Sequence, residues 1–170
     1  NATLRASYGT VGNQDIDWYA ARGYYMAGHN YDGVVGIAPE SISNTKLTWE
    51  TSTKFDVGFD LSFINRIHLS LDYYNETTSD ALMKMPLSMT TGLASTYKNI
   101  GKIRNQGIEV DLKATIMHRK DLDWNAYANL TWNKNEVLKL ASGDPIYPTA
   151  YNVVMEGKPY NSFYLKEYAG

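Results

Sequence analysis

The sequence predicts an all-β fold: an antiparallel meander of about six long amphipathic strands. Three observations carry that expectation. Four segments alternate apolar and polar residues strictly for about eleven to fifteen positions, which gives each strand one apolar and one polar face. Long and short connections take turns along the chain. No segment repeats its apolar residues at a helical period.

The first strand, TLRASYGTV (3 to 11), alternates weakly, with Leu4, Ala6 and Tyr8 against Arg5, Ser7 and Gly9. The second, WETSTKFDVGFDLSF (49 to 63), sets Trp49, Thr51, Thr53, Phe55, Val57, Phe59, Leu61 and Phe63 against a wet face holding Lys54, Asp56, Gly58 and Asp60. In RIHLSLDYYNETT (66 to 78), Ile67, Leu69, Leu71 and Tyr73 oppose His68, Ser70, Asp72, Tyr74 and Glu76. GIEVDLKATIM (107 to 117) places Ile108, Val110, Leu112, Ala114 and Ile116 against Glu109, Asp111, Lys113 and Thr115. DLDWNAYANLTWN (121 to 133) carries Leu122, Trp124, Ala126, Ala128, Leu130 and Trp132 on one side. SFYLKEYA (162 to 169) is the expected sixth strand.

Tight turns are expected at Asn65-Arg66 and at His118-Arg119-Lys120, and long loops over 12 to 48, 79 to about 102, and 134 to 160. All long loops then fall at one end of the sheet and all short turns at the other, as in outer-membrane barrels. Globular strands usually run about five or six residues, whereas a tilted membrane-spanning strand needs about nine to eleven. Trp49, Phe63, Tyr73, Trp124 and Trp132 lie near strand ends, where ring-bearing girdles collect. Lys54, Asp56, Asp60, Asp72, Glu109, Asp111 and Lys113 would then line a water-filled lumen. Gly58 on the same face would leave room for another backbone. Six strands cannot close a barrel of this kind, so the chain reads as an arc of a larger one. A soluble sandwich or an exposed single-layer sheet shares the alternation and stays open as an alternative.

Composition narrows the function. A formal net charge of −2 provides no basic footprint for nucleic acid. No apolar run is long enough for a transmembrane helix. The absence of Cys excludes a disulfide scaffold and a thiolate metal site. Without an initiator Met or a signal-peptide pattern, the start suggests a trimmed piece of a longer chain. No nucleophile elbow, HExxH or P-loop pattern is present, so no enzyme, catalytic residue or cofactor is expected. His29, His68 and His118 are too dispersed to suggest a metal site. The carboxylate pairs Asp15/Asp17 and Asp121/Asp123 fit solvated charges better than a Ca²⁺ site or an acid–base pair. The loop 12 to 48 is the best ligand-binding candidate. Trp18, Tyr19, Tyr24, Tyr25, His29 and Tyr31 offer flat rings beside amide donors, which suits sugar rings or protein partners. Loop packing is the competing use of those rings. Met83, Met85, Leu87 and Met89 form an adaptable apolar loop, suited to a partner or to filling the mouth.

Five collinear stretches resemble the SusC/RagA-like TonB-dependent outer-membrane transporters: LRASYGTVGN (4 to 13), NTKLTWETSTKFDVGFD (44 to 60), DYYNETTSDAL (72 to 82), NIGKIRNQGIEV (99 to 110) and GKPYNSFYLKEYAG (157 to 170). The resemblance implies a segment from the C-terminal half of a 22-stranded transmembrane β-barrel in the outer membrane of a Gram-negative bacterium. It further implies a SusD-like surface lipoprotein as lid, energy supplied through the TonB system, contact with outer-membrane lipid, and oligosaccharide or peptide cargo. The 170 residues show no plug, TonB-contact segment or final strand with a terminal aromatic, so a late-middle single barrel segment is expected. The soluble alternative is a secreted β-rich carbohydrate- or protein-binding module.

Overall fold

The computed structural model describes residues 1–64 and 66–168, with the side chains of His29 and Tyr31 excepted. In chain order the strands are β1 (Ala2–Asn13), β2 (Tyr25–Tyr31), β3 (Val34–Pro39), β4 (Glu50–Phe63), β5 (Ile67–Ser79), β6 (Leu82–Pro86), β7 (Ser95–Asn99), β8 (Gly101–Arg119), β9 (Leu122–Leu140), β10 (Ile146–Thr149), β11 (Asn152–Val154) and β12 (Ser162–Phe163). The long strands form one antiparallel sheet in the order β1-β4-β5-β8-β9. Two hairpins, β2/β3 and β6/β7, and a small β10-β11-β12 sheet make up the rest. The sheet therefore has five long strands. The expected sixth shrinks to Ser162–Phe163 and pairs with β11 instead. Tyr164 to Tyr168 carry no regular structure, and Ala169 lies outside the described residues. The expected turn at 118 to 120 moves to Lys120-Asp121, because His118 and Arg119 still pair with Asp123 and Leu122. At the other short turn Arg66 N–H donates to the Phe63 carbonyl, while Asn65 lies outside the described residues.

Register puts the strands in phase. Arg5, Gly58, Asp72, Glu109 and Thr131 form one row across the sheet, each directly opposite the next. The neighbouring row, shifted by one residue, is Ala6, Val57, Tyr73, Ile108 and Trp132. Since side chains alternate along a strand, a whole face is set by this phase. Phe55, Phe59, Leu71, Leu112, Leu130 and Trp132 share a single open face, and Leu130 is 68% exposed. From Phe63 to Phe55 that apolar band runs about 26 Å along β4, at about 3.3 Å per residue.

Above the Tyr73–Ile108–Trp132 row the two faces exchange character. Ile103 and Val137, on the face that is polar lower down, meet Ala81, Ile100, Leu140, Ile146 and Val154 in the buried core. Arg104 and Glu136, on the face that is apolar lower down, form an ion pair at 2.9 Å. This exchange explains why β8 and β9 run beyond their expected ends at 107 and 133. The alternation continues with its sign reversed, which resembles a loop when read as composition. Met83 and Met85 pack against this core, whereas Met89 is 95% exposed, so the Met-rich loop is divided between packing and solvent.

A bulge where β8 meets β9 lets the chain enter the sheet. Register shifts between Lys102 and Ile103, leaving Leu138 as the extra residue. Gly101 adopts φ +130°, and a Cβ there would collide with the Lys139 carbonyl. Only glycine accepts both conditions. In the full-length protein, Gly101→Ala is expected to lower unfolding stability by about 1–3 kcal/mol from backbone strain alone. Urea or heat unfolding of the detergent-solubilised barrel measures this.

Candidate functional site

Two hairpins distant in sequence build a cleft at the long-loop end of the sheet. Residues 17 to 24 and 38 to 41 flank β2/β3, and residues 92 to 97 close the β6/β7 hairpin. Together they enclose about 590 Å³. Tyr97 O–H donates to an Asp17 carboxylate oxygen at 3.1 Å. Lys84 lies 3.7 Å from the same carboxylate and 5.6 Å from the Tyr97 ring centroid. Burial, reinforced by Asp17, pushes the Tyr97 phenol above its ordinary range. The phenol thus stays protonated and donating. Tyr24 and Glu40 face the same space. The cleft therefore presents aromatic faces, one cation, two carboxylates and several hydroxyls.

Among the described side chains of the six expected loop aromatics, only Tyr24 lines this cleft. Trp18 is 89% exposed in the turn before it, with Tyr19 beside it at φ 60°. Tyr25 is exposed on β2. His29 and Tyr31 belong to β2, but their side chains lie outside the described residues. Glu40, Lys84 and Tyr97 do not stand out as ligand residues in the sequence, and Asp17 does so only as half of the Asp15/Asp17 pair. Nothing in the local pattern signals that 84 and 97 fold back onto 17.

Below the cleft, polar side chains clamp the loops to the sheet. Glu50 accepts from Asn13 Nδ2 at 2.6 Å and from Leu82 N–H at 3.0 Å, so one carboxylate holds the ends of β1 and β6. Asn99 Oδ1 accepts from Thr48 N–H at 3.0 Å, and its Nδ2 reaches the Thr48 and Asp80 carbonyls. The Asn13, Glu50, Leu82 and Asn99 positions of four separate sequence stretches thus meet at one rim. Trp49 stands above the apolar band, separated from Phe55 by Thr51 and Thr53, and its ring packs near Gly12.

The residues expected to line a lumen share the sheet's polar face. Arg5 is their centre. Its Nε donates to Asp60 at 2.7 Å and its Nη2 pairs with Asp72 at 2.9 Å. Ser70 Oγ donates to both carboxylates, at 2.6 and 3.2 Å. Lys54 meets Asp56 at 3.2 Å. Lys113 sits 5.5 Å from the Tyr127 ring. Glu109 and Asp111 extend the face along β8. Gly58 does not leave space for another backbone. Arg5 crosses above it to reach Asp72, and a Cβ at 58 would lie 2.8 Å from Arg5 Cζ. Gly107 likewise seats the Tyr74 ring, with Tyr74 Cζ 2.7 Å from where a Cβ would be. A Cβ at 58 would also collide with Asp72 Oδ1, so Gly58→Ala should be costly by itself and costlier while Arg5 is present. A double-mutant cycle with Arg5→Ala in the full-length barrel is expected to show coupling of about 0.5–3 kcal/mol. Additive effects would contradict the crossing.

The sequence matches the family model described as TonB dependent receptor-like, beta-barrel over residues 1–163. It is 34% identical to TonB-dependent receptor P3 of Formosa agariphila, across 98% of this chain and 18% of that protein. It is 33% identical to TonB-dependent receptor SusC of Bacteroides thetaiotaomicron, across 83% of this chain and 15% of that one. A solved structure of the RagAB peptide transporter superposes with a TM-score of 0.89 at 34% identity, covering 99% of this chain and 19% of the solved one. The chain thus spans less than a fifth of these relatives. It belongs to the TonB-dependent receptor family, as a segment of that family's outer-membrane β-barrel of the SusC/RagA type.

Proposed function

We propose that this chain forms part of the wall and outer mouth of a TonB-energised nutrient importer in a Gram-negative outer membrane. The apolar face meets lipid and the Arg5–Asp60–Asp72 face lines the lumen. One observation carries the reading: a five-strand sheet keeps its large apolar side chains on a single open face, and its buried core lies above that band. Soluble monomers rarely expose an apolar patch beyond a few hundred Å². The secreted-module alternative gains no support from such a sheet.

The cleft beside Tyr24 and Tyr97 is the proposed cargo contact, with a SusD-like lipoprotein covering the mouth. Tyrosine faces beside carboxylates, Lys84 and hydroxyls serve either a sugar ring or a peptide backbone. The superposition on a peptide transporter favours oligopeptide cargo, with oligosaccharides, implied by the resemblance of the sequence motifs, as the second class. In cells carrying the full-length transporter with its lipoprotein, a protonophore should abolish cargo accumulation. Replacing Tyr24 and Tyr97 together by Ala should weaken cargo binding about tenfold, a loss of about 1.4 kcal/mol. Calorimetry with oligopeptide and oligosaccharide libraries reads the binding effect. Accumulation that survives the protonophore would overturn the importer reading, and unchanged affinity for every cargo would remove the cleft from the binding path.

A further inference from the structure

The outward side of β8 and β9 changes abruptly above Trp132. Ascending from the Ile108–Trp132 pair, the same face carries Gln106 opposite Lys134, Arg104 opposite Glu136, and Lys102 opposite Lys139. Glu136 accepts both Arg104, at 2.9 Å, and Lys134, at 3.0 Å. Lys102 and Lys139 are exposed, directly opposed across the strands, and paired with no carboxylate among the described residues. Like charges facing each other across a sheet destabilise it. Four cations thus stand against one carboxylate in a ladder that begins one step beyond the aromatic edge of the apolar band.

We infer that this ladder docks the anionic headgroup of a membrane lipid whose acyl chains lie against Ile108, Leu130 and Trp132. The inference rests on the lipid-facing reading of the apolar face. A headgroup phosphate or carboxylate at that height relieves the Lys102–Lys139 repulsion, while its chains continue down the band. Charge favours such an amphiphile, since a neutral lipid leaves the two lysines opposed. That pair stands about 20 Å of strand above Ile108–Trp132, and lysine stems reach down the ladder toward the apolar edge. Basic side chains beside an anionic bilayer surface attract its headgroups.

The experiment uses the full-length transporter with a fluorophore on a cysteine at Leu130. The protein is reconstituted in equimolar phosphatidylglycerol and phosphatidylcholine, with bromine carried on the chains of one lipid or the other. Brominated phosphatidylglycerol should be enriched about fivefold over brominated phosphatidylcholine at the label, and Lys102→Gln/Lys139→Gln should reduce that ratio to near one. Adding inorganic phosphate should leave the wild-type ratio high. A ratio near one in the wild type, or one untouched by the double substitution, overturns the headgroup site even though both lipids quench. A ratio that falls on adding inorganic phosphate overturns it in favour of a free-anion site. If neither lipid quenches, the lipid-facing reading itself fails and takes the inference with it.

Discussion

One constraint governs the rest of this structure: the same strands must satisfy two different surroundings along their length. From Phe63 to Phe55 on β4, and from Trp124 to Trp132 on β9, apolar side chains point one way and polar ones the other. Beyond Trp132 the assignment reverses, with Val137 fully buried on one side and Glu136 and Lys134 on the other. From Trp124 to Val137 the backbone alternation keeps its sense; only the medium it addresses changes. Leaving a single Leu or Phe side chain in water forgoes about 1.5–3 kcal/mol. A sheet that exposes a whole face of them requires an apolar medium, and the medium must stop where the charges begin.

The remaining features follow from holding those faces in phase. A slip of one residue would exchange the apolar set and the Arg5 network between the two faces of the sheet. Register is held on the polar face by Arg5 reaching across Gly58 to Asp72, and at the rim by Glu50 and Asn99. The ion pairs are half-exposed, and such pairs contribute little each. Their value is positional, because each joins strands that the alternation alone would allow to slide. The rim clamps do the same for the hairpins, whose own strands are short and would be marginal in isolation.

Much of the sheet was legible in the sequence. Strict period two over β4, β5 and the lower parts of β8 and β9 fixed both faces and the positions of Lys54, Asp72 and Glu109. What remained hidden has physical causes. Residues 101 to 106 and 134 to 140 continue their strands with faces exchanged, so a search for one apolar side misses them. Gly58 was readable as a gap but not as the seat of Arg5, and nothing in the pattern marked Gly107 as the seat of Tyr74, since those partners come from other strands. The cleft was half visible: Tyr24 stood out in an aromatic loop, while Lys84 and Tyr97 join it only through long-range folding. SFYLKEYA alternates weakly and finds a partner only over Ser162 and Phe163.

The most direct test is spin-label accessibility along β9 of the full-length transporter in lipid bilayers, with one cysteine at a time from residue 124 to residue 132. Collision with oxygen, which concentrates in lipid, should peak at 124, 126, 128, 130 and 132. Collision with a water-soluble nickel chelate should peak at 125, 127, 129 and 131. Accessibility without a period of two, or with oxygen maxima at the odd positions, would contradict a lipid-facing apolar sheet.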